Sequence, residues 1–519
     1  MSRRSSERAL VWALLPGALL LAACSTSLTT QMDCASDESC QTEFGADFSC
    51  GEAGFCVQDG ELCTTDLECR QSAGTWASAC VESRCQPLEV PDNCTETYPS
   101  NLLTSEDAAG TVVFGNLMDR SLTTHDAREK SARLAALLAN GAEGLANGPY
   151  GFIFCDIQPA DAGDSMQRRD VAVASATWLS GQAHVPAIVG PASSGDTQAV
   201  FTAVSANATL VISPSATSPA LTALDNVNPT DEAPGLLWRT APPDSFQGAT
   251  MAMDLLTRGA TDVDVIFQSG AYGDGLSGVL ASALQAEEVN VQLLSYTDAT
   301  DRGAAILSAR DSGSGNVVFI SSSTSEAVGF LNAVASDAGT DWDGRVITLP
   351  DAAGNADLLA GVEPANQAVF DQVRGTRPAP ASGVIFDRFV VDYTGEYGSD
   401  VTQFTFTANA YDAAMMVIGA TGWAASQESG ITGVTIAQGL RRMSDTSGPE
   451  LDLIGSNIPA IQSQLAMGSR VNVNGASGPL DYNLSTEETV APIEVWAVTD
   501  CDGLDFAVVE VGADRPACE

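Results

Sequence analysis

The feature that most restricts the fold of this chain is a long alternation of strand-like and helix-like segments, which begins near residue 108. Short β-branched and apolar runs, such as residues 111–117 and 152–157, alternate with segments of helical periodicity, such as residues 128–140. A second series of the same kind spans residues 247–349. Such alternation predicts parallel sheets covered by helices on both faces, and two series predict two lobes.

Small polar residues follow two of the predicted strands, where a ligand site is expected. In open parallel sheets, ligands bind beyond the carboxyl ends of the strands, where loops lead into helix N-termini. Ser194 lies at such a helix start, whose free N–H groups suit a carboxylate, although a simple helix N-cap explains a serine equally well. Ser215 and Thr217 lie in the next such loop, which also has the composition of an ordinary Ser/Thr turn.

Six short motifs give the alternation a more specific meaning. They are Gly-Pro-Ala-Ser-Ser at 190–194, Ser-Pro-Ser-Ala-Thr-Ser-Pro at 213–219, Trp-Arg-Thr at 238–240, Ala-Tyr-Gly-Asp-Gly at 271–275, Ala-Tyr-Asp-Ala at 410–413 and Gly-Pro-Leu-Asp-Tyr-Asn at 478–483. In this order they resemble the type I periplasmic binding proteins of the leucine/isoleucine/valine and branched-chain amino-acid class. The resemblance covers about residues 108–500. It implies an α/β, two-lobed type I periplasmic-binding-protein fold with three crossovers between the lobes.

The same resemblance implies a role for each candidate site residue. Ser194 and Thr217 would hold the carboxylate of the ligand, and the backbone carbonyl of Ser215 would accept from its ammonium group. Asp351 would bind the ammonium from the second lobe, because it follows a strand and a proline and precedes a Gly-Asn pair, as in the family. Tyr272 would close over the ligand. A solvated charge at Asp351 and a rim position for Tyr272 are the simpler alternatives.

Two departures from the family pattern leave the identity of the ligand open. The loop after the first strand, residues 116–121, differs from the Pro-Leu-Thr-Gly-like loop of the family, and residues 321–324 lack the aromatic residue of leucine binders. The resemblance thus predicts a solute-binding protein that closes on a small ligand, with an amino acid as the first choice, for ABC import or sensing. The alternative is a surface interaction or structural lipoprotein that keeps the receptor fold without a small ligand.

The amino terminus predicts export. Arg3, Arg4 and Arg8 precede an apolar run at residues 9–23, which is typical of a secretory signal and too short to span a bilayer. The run ends in Leu-Ala-Ala-Cys, which resembles a bacterial lipobox with Cys24 as the lipidated residue, although an ordinary cleavage site near Cys24 is the alternative. Several acyl chains on one cysteine anchor a protein stably without a membrane-spanning helix.

The residue after Cys24 bears on the membrane in which the protein is anchored. By resemblance to Gram-negative lipoproteins, Ser25 instead of Asp favours the outer membrane. A tether there favours scavenging or sensing over delivery to an inner-membrane ABC permease. The expected location is therefore the cell envelope, on the periplasmic or cell-surface side.

Cysteines cluster between the signal and the receptor-like part. Apart from Cys24, twelve of the 13 cysteines remain, and eight of them form two sets with nearly equal spacing: Cys34, Cys40, Cys50, Cys56 and Cys63, Cys69, Cys80, Cys85. In an exported protein this predicts a duplicated disulfide module whose connectivity stays open. A zinc site is disfavoured because the segment has no C-x-x-C pair and no histidine. A rigid spacer is preferred over a protein-binding module.

Four further cysteines belong to the main domain: Cys94, Cys155, Cys501 and Cys518. Cys501 and Cys518 are near neighbours in sequence and are expected to pair. The whole chain is expected to divide into a signal peptide, the anchor with its Cys-rich module and linker, lobe 1, lobe 2, the second part of lobe 1, and the lobe 2 return with its tail: residues 1–23, 24–107, 108–240, 241–380, 381–475 and 476–519.

Composition excludes one class of partner and motif content argues against catalysis. With 23 Lys plus Arg against 66 Asp plus Glu, the net charge of −43 disfavours nucleic acid. Neither His125 nor His184 lies in a nucleophile-bearing context, and the chain has no Gly-x-Ser-x-Gly, Walker or His-Glu-x-x-His motif. We therefore expect no enzyme, cofactor or metal. A glycosidase-type pair of acids stays open until geometry is known.

Overall fold

The structure is a computed structural model that describes residues 34, 36–45, 48–50, 56–58, 61–145, 148–161, 164–222, 224–225, 228–337, 341–501 and 503–516. It divides into two compact units, Met1–Leu62 and Cys63–Glu519. The signal, Cys24 and Cys518 lie outside the described residues, while Cys501 is disulfide-bonded. Within the described part of the chain, no helix has both the length and the apolar character needed to cross a bilayer.

The first unit contains the first Cys-rich repeat. Its elements are α1 (Asp37–Phe44), β1 (Phe48–Cys50) and β2 (Cys56–Gln58). The two strands pair as an antiparallel hairpin. Disulfides join the first cysteine to the third and the second to the fourth: Cys34–Cys50 and Cys40–Cys56. The carboxylate of Asp37 also accepts a hydrogen bond from the backbone N–H of Cys50 at 2.8 Å.

The second repeat has the same construction but belongs to the second unit. Its elements are α2 (Asp66–Ala73), β3 (Ser78–Val81) and β4 (Arg84–Pro87). The connectivity is again first to third and second to fourth: Cys63–Cys80 and Cys69–Cys85. Asp66 accepts from the N–H of Cys80 at 2.8 Å, as Asp37 does from Cys50. In each repeat, two disulfides and one carboxylate–backbone hydrogen bond thus replace the apolar core that so short a segment lacks.

The second repeat is packed against the first lobe, whereas the sequence predicted one duplicated module with a linker at residues 24–107. Trp76 is buried in an apolar cluster of the first lobe. Arg70 lies over the Trp76 ring at 4.2 Å and donates to the carbonyl of Ala183 at 3.3 Å. His184, with φ of 51°, contacts the Asp66 carboxylate at 2.9 Å. Burial of this indole surface joins the repeat to the lobe.

The first lobe is built on a six-stranded sheet. Its strands are β5 (Glu96–Tyr98), β6 (Val112–Met118), β7 (Tyr150–Asp156), β8 (Ala187–Val189), β9 (Leu210–Ser213) and β10 (Leu237–Arg239). Their order is β10-β9-β8-β6-β7-β5, and all pairs are parallel except β5 with β7. The helices between them are α3 (Thr123–Asn140), α4 (Ser165–Gly181) and α5 (Ser194–Val204). The disulfide Cys94–Cys155 joins the segment before β5 to β7.

The second lobe follows in the chain with a second α/β series. Its elements are α6 (Asp244–Thr257), β11 (Asp262–Gln268), α7 (Ala271–Ala286), β12 (Asn290–Tyr296), α8 (Ala299–Ser312), β13 (Asn316–Ile320), α9 (Thr324–Ser336), β14 (Val346–Leu349), α10 (Ala356–Gly361) and β15 (Val373–Pro378). Strands β11 to β15 pair in parallel. Val318 and Phe319 are consecutive residues of β13 and point to opposite faces of the sheet. They fall in different apolar clusters, so both faces are covered.

The chain then returns to the first lobe before it ends in the second. The returning helices are α11 (Val384–Tyr397), α12 (Thr407–Ala424), α13 (Gly433–Met443) and α14 (Ile458–Ala466). Short strands accompany them: β16 (Glu450–Asp452), β17 (Asn472–Gly475), β18 (Gly478–Pro479), β19 (Tyr482–Asn483) and β20 (Glu488–Thr489). The final strands β21 (Ile493–Asp500) and β22 (Leu504–Val509) complete a sheet of order β12-β11-β13-β14-β15-β21-β22.

Three crossovers therefore connect the lobes, after β10, after β15 and before β21. The last one comes later than the expected change at residue 476. Tyr482 packs on Trp238 of the first lobe, with ring centroids 4.9 Å apart, and Glu488 forms a buried ion pair with Arg239. These contacts hold the β19-β20 hairpin on the first lobe, so the chain passes to the second lobe only between Thr489 and Ile493.

Candidate ligand-binding cleft

The predicted site residues lie at strand ends that face the junction of the lobes. Ser194 begins α5, and Ser215 and Thr217 follow β9. Tyr272 lies in the first turn of α7, and Asp351 follows β14. The hydroxyl of Ser218, next to Thr217, donates to the carbonyl of Ala271, next to Tyr272, at 2.5 Å. The two lobes therefore touch at these loops.

Ser194 connects two loops of the first lobe. Its hydroxyl oxygen accepts from the backbone N–H of Ser218 at 3.1 Å, and its side chain is buried. The N-cap of α5 is the preceding residue, Ser193, whose hydroxyl accepts from the N–H of Asp196. Capping is thus done by Ser193, and Ser194 keeps one O–H donor for another group. Thr217 is also buried.

Tyr272 and Asp351 form a pair on the second lobe. The Tyr272 hydroxyl donates to the Asp351 carboxylate at 2.5 Å, and both side chains are buried. Burial raises the pKa of Asp351, and the side chains of Tyr272 and Gln247 lower it in part. Burial and then the charge of Asp351 raise the pKa of Tyr272 well above its ordinary value. Tyr272 thus stays neutral and donates a hydrogen bond to the buried carboxyl group of Asp351.

Asp244, which the sequence reasoning did not select, is the least satisfied group of the cleft. It begins α6 and is fully buried, and within the described part of the chain neither carboxylate oxygen has a hydrogen-bond donor. Its backbone N–H donates to the carbonyl of Thr217 at 2.8 Å. Burial and then the charge of Asp351 raise the pKa of Asp244 well above its ordinary value of 3.8, and the nearby hydroxyl of Thr217 and the charge of Arg239 lower it in part. Ionisation of one of these two carboxyl groups therefore disfavours ionisation of the other.

Asp244 could have been noticed from its position, although its sequence context has a simpler explanation. It follows the Trp-Arg-Thr motif at 238–240 and two prolines, at the start of a helix. An acid at a helix N-terminus is common for dipole reasons alone. The pairing with Asp351 also supplies the kind of acid pair that was left open for glycoside hydrolysis.

Arg128 is the second group that was missed, and it lies on the first lobe. Its guanidinium donates to the carbonyl and the hydroxyl of Thr405, at 3.0 and 3.2 Å, and to the hydroxyl of Ser215 at 3.1 Å. Burial lowers the pKa of Arg128 to about 10, and the charge of Asp351 opposes this shift. Arg128 therefore lies within electrostatic reach of Asp351 on the second lobe. Beside it, burial and then Arg128 depress the pKa of His125, so this ring is neutral.

Two largely parallel sheets joined by three crossovers, with polar loops meeting between them, define the two-lobed type I periplasmic-binding-protein fold. A sequence model described as "Receptor family ligand binding region" matches residues 159–499. The chain belongs to this receptor family. The family is one of ligand-binding receptors and not of enzymes.

Similar proteins agree with this class. The chain is 26% identical over 313 residues to the chemotactic signal transduction system substrate-binding protein BasB of Halobacterium salinarum, covering 58% of this chain and 67% of that protein. The leucine-binding protein LivK of Thermotoga maritima superposes with a TM-score of 0.58 at 18% identity, covering 77% and 99% of the two chains. A solute-binding protein from R. palustris in complex with 4-hydroxybenzoate gives 0.59 at 15%, covering 78% and 98%.

Proposed function

We propose that this chain is a lipid-anchored extracytoplasmic receptor whose lobes close on a small amine-bearing ligand, most simply an amino acid, for sensing or ABC import. The observation that carries the proposal is Asp244, a buried carboxyl group without a hydrogen-bond donor beside the second buried carboxyl group of Asp351. A buried carboxylate without a partner is unfavourable by several kcal/mol, roughly. An ammonium group would supply hydrogen-bond donors to both acids and a positive charge in addition to that of Arg239.

The remaining predicted residues fit this arrangement. In the proposed complex, Asp351 and Asp244 bind the ammonium group, and Tyr272 holds Asp351 in position. Ser194 and Thr217 offer hydroxyl groups to the carboxylate, and the carbonyl of Ser215 is a further acceptor for the ammonium. Because the ligand would contact both lobes only after closure, it would shift the equilibrium towards the closed form.

Anchoring and signalling are proposed from the sequence and from one relative. The lipobox-like segment supports lipidation of Cys24, with Ser25 favouring the outer membrane. BasB is by its name a substrate-binding protein of a chemotactic signalling system, which supports a sensing role beside import. Replacing Cys24 by Ser should move the protein from the membrane fraction to the soluble fraction. If the Cys24→Ser protein is processed and remains with the membrane, lipidation at Cys24 is contradicted.

Calorimetry of wild type and Asp351→Asn would test the ligand class. The titrants are the standard L-amino acids and, for each one that binds, the acid that lacks its amine. Loss of one charge-assisted contact costs about 1.5–3 kcal/mol, so Asp351→Asn should weaken binding of the amino acid by roughly 10- to 150-fold. The matched control is Asp412→Asn, because Asp412 is a buried acid whose carboxylate accepts from Ala476 and Ser477 on the first lobe.

Three results would count against the proposal. One is binding of an acid without an amine as tightly as the matching amino acid. Another is unchanged affinity in Asp351→Asn. The third is the absence of any thermal or calorimetric response to the whole amino-acid panel, which would favour a surface interaction protein without a small ligand. An unchanged affinity in Asp412→Asn is expected in every case.

A further inference from the structure

Arg128 is a buried cation without an ion-pair partner in the described part of the chain. Other buried arginines have an evident reason for their burial. Arg239 pairs with Glu488 and Arg374 with Asp254. Arg345 donates to two carbonyl groups at the carboxyl end of α8, where the helix dipole favours a positive charge. Arg128 instead has three neutral acceptors, all of them in loops at the cleft.

The guanidinium of Arg128 is held in one orientation by the loop before α12. Thr405 accepts through both its carbonyl and its hydroxyl, and the ring of Phe406 lies 5.3 Å from the guanidinium carbon. Phe406 has a φ of 60°, in the left-handed region that non-glycine residues rarely occupy. Such strain is tolerated where the surrounding structure requires one geometry, and it is frequent at ligand sites.

The unused donors of Arg128 suit a carboxylate. A guanidinium carries five N–H groups, and three are used in the contacts with Thr405 and Ser215. One N–H on each terminal nitrogen remains for a further acceptor. Two such donors can bind the two oxygens of a carboxylate together, which gives both strength and a defined orientation.

The charge of the whole protein favours a local cation at a carboxylate site. With a net charge of −43, the molecule disfavours a negative group, and the hydroxyl groups of Ser194 and Thr217 supply no positive charge to offset this. Arg128 contacts Ser215, in the same loop as Thr217, and feels the charge of Asp351 on the other side of the cleft. Opposite charges on the two lobes thus interact across this junction.

We infer that Arg128 is the charged anchor of the ligand carboxylate, an inference that rests on the proposed amine-binding function. The ligand class is then a free amino acid, with an ammonium group on Asp244 and Asp351 and a free carboxylate on Arg128. Amino-acid amides, amino-acid esters and simple amines lack the free carboxylate. Aromatic acids without an amine lack the ammonium group.

The test compares an acid with its amide in wild type, Arg128→Lys and Arg128→Gln. The amino acid that gives the largest thermal shift in a panel of standard L-amino acids is titrated by calorimetry beside its primary amide. Wild type should bind the acid about 10- to 100-fold more tightly than the amide. Arg128→Gln should lose most of this preference. Arg128→Lys should keep part of it, because an ammonium group retains the positive charge but lacks the two parallel N–H donors of a guanidinium group.

The preference for acid over amide is a ratio within one protein, so a general weakening of the site does not change it. Arg345→Lys is the matched control, and it should lower thermal stability while it leaves the ratio intact. A wild type that binds acid and amide equally overturns the inference even if the Arg128 variants fail to fold, and so does an unchanged ratio in Arg128→Gln. If no amino acid binds wild type, the proposed function itself fails.

Discussion

The two faces of the cleft carry opposite charges and stabilise them in different ways. On the first lobe, Arg128 keeps three hydrogen bonds, and its pKa of about 10 leaves it charged at neutral pH. On the second lobe, Asp244 has no hydrogen-bond donor in the described structure, and its pKa is raised. The first face is thus a fixed positive charge, and the second is a pair of acids that responds to pH. Neither face alone offers partners to both ends of a zwitterion.

The largest effect is expected from neutralising the acidic face. In the double variant Asp244→Asn/Asp351→Asn, the ammonium group would lose both charged partners. The sum of two such losses weakens binding by about 100-fold or more. Calorimetry with the best amino acid should therefore show no measurable heat at concentrations that saturate wild type. Retained affinity within tenfold of wild type would show that the acidic face does not bind the ligand.

Removing the unpaired acid alone should change stability and binding in opposite directions. Asp244→Asn removes an acid whose burial disfavours ionisation, so the unliganded protein should gain about 1–3 kcal/mol at neutral pH. Asp412→Asn should instead lose stability, because the carboxylate of Asp412 accepts from two backbone N–H groups and the hydroxyl of Ser477. Thermal denaturation of both variants without ligand measures this contrast. A lower melting temperature for Asp244→Asn would contradict it.

Binding of an amine should become tighter as pH rises. The raised pKa of Asp244 means that the unliganded site holds a proton above the ordinary pH range of a carboxyl group, whereas the complex requires the ionised form. Binding then releases a proton, and affinity increases by up to about tenfold per pH unit until pH exceeds the raised pKa. Burial and the charge of Asp351 favour the protonated form of Asp244, while the hydroxyl of Thr217 and the charge of Arg239 oppose it.

Proton release can be counted directly. The binding enthalpy should depend on the ionisation enthalpy of the buffer in wild type and should lose most of that dependence in Asp244→Asn. The unliganded protein should behave in the opposite way, because its stability falls as pH rises through the same range. A binding enthalpy that is equal in all buffers below neutral pH would contradict the release of a proton from Asp244 on binding.

The smallest effect is expected at Tyr272. In Tyr272→Phe the ring remains, but Asp351 loses its hydroxyl donor. A single neutral donor contributes about 0.5–1.5 kcal/mol, so affinity for the amino acid should fall by roughly three- to tenfold. The preference for acid over amide, which depends on the first face, should stay at its wild-type value. A change in that preference would mean that the two faces do not act separately.

The fold was largely predictable from sequence because strand and helix periodicities are local. The alternation from residue 108 indicated two parallel sheets, and the six motifs indicated their connection. The position of the second Cys-rich repeat was not predictable, since it depends on Trp76 meeting an apolar surface of the first lobe. Likewise, the late return at Ile493 depends on the ion pair of Glu488 with a residue far away in sequence, Arg239.

The site was predictable only in part, for a similar reason. Ser194 and Asp351 lie in loops that follow strands, so their position at a sheet edge could be read from local patterns. Arg128 lies in a charged stretch of a helix, close to Asp126, Glu129 and Lys130, and has the pattern of a solvated face. Its burial comes from Thr405, which is 277 residues away in the chain. Asp244 has the pattern of an ordinary helix start. Its burial and its interaction with Asp351 depend on the tertiary fold and could not be predicted from local sequence.

The most direct test of the cleft is a crystal structure of the complex with the amino acid that binds most tightly in the panel. The expected result is a closed form in which the ligand ammonium lies within hydrogen-bond distance of Asp244 and Asp351, and the ligand carboxylate is bound by Arg128. A complex with the carboxylate held away from Arg128, or with the ammonium in contact with neither acid, would contradict the division of charge between the two lobes.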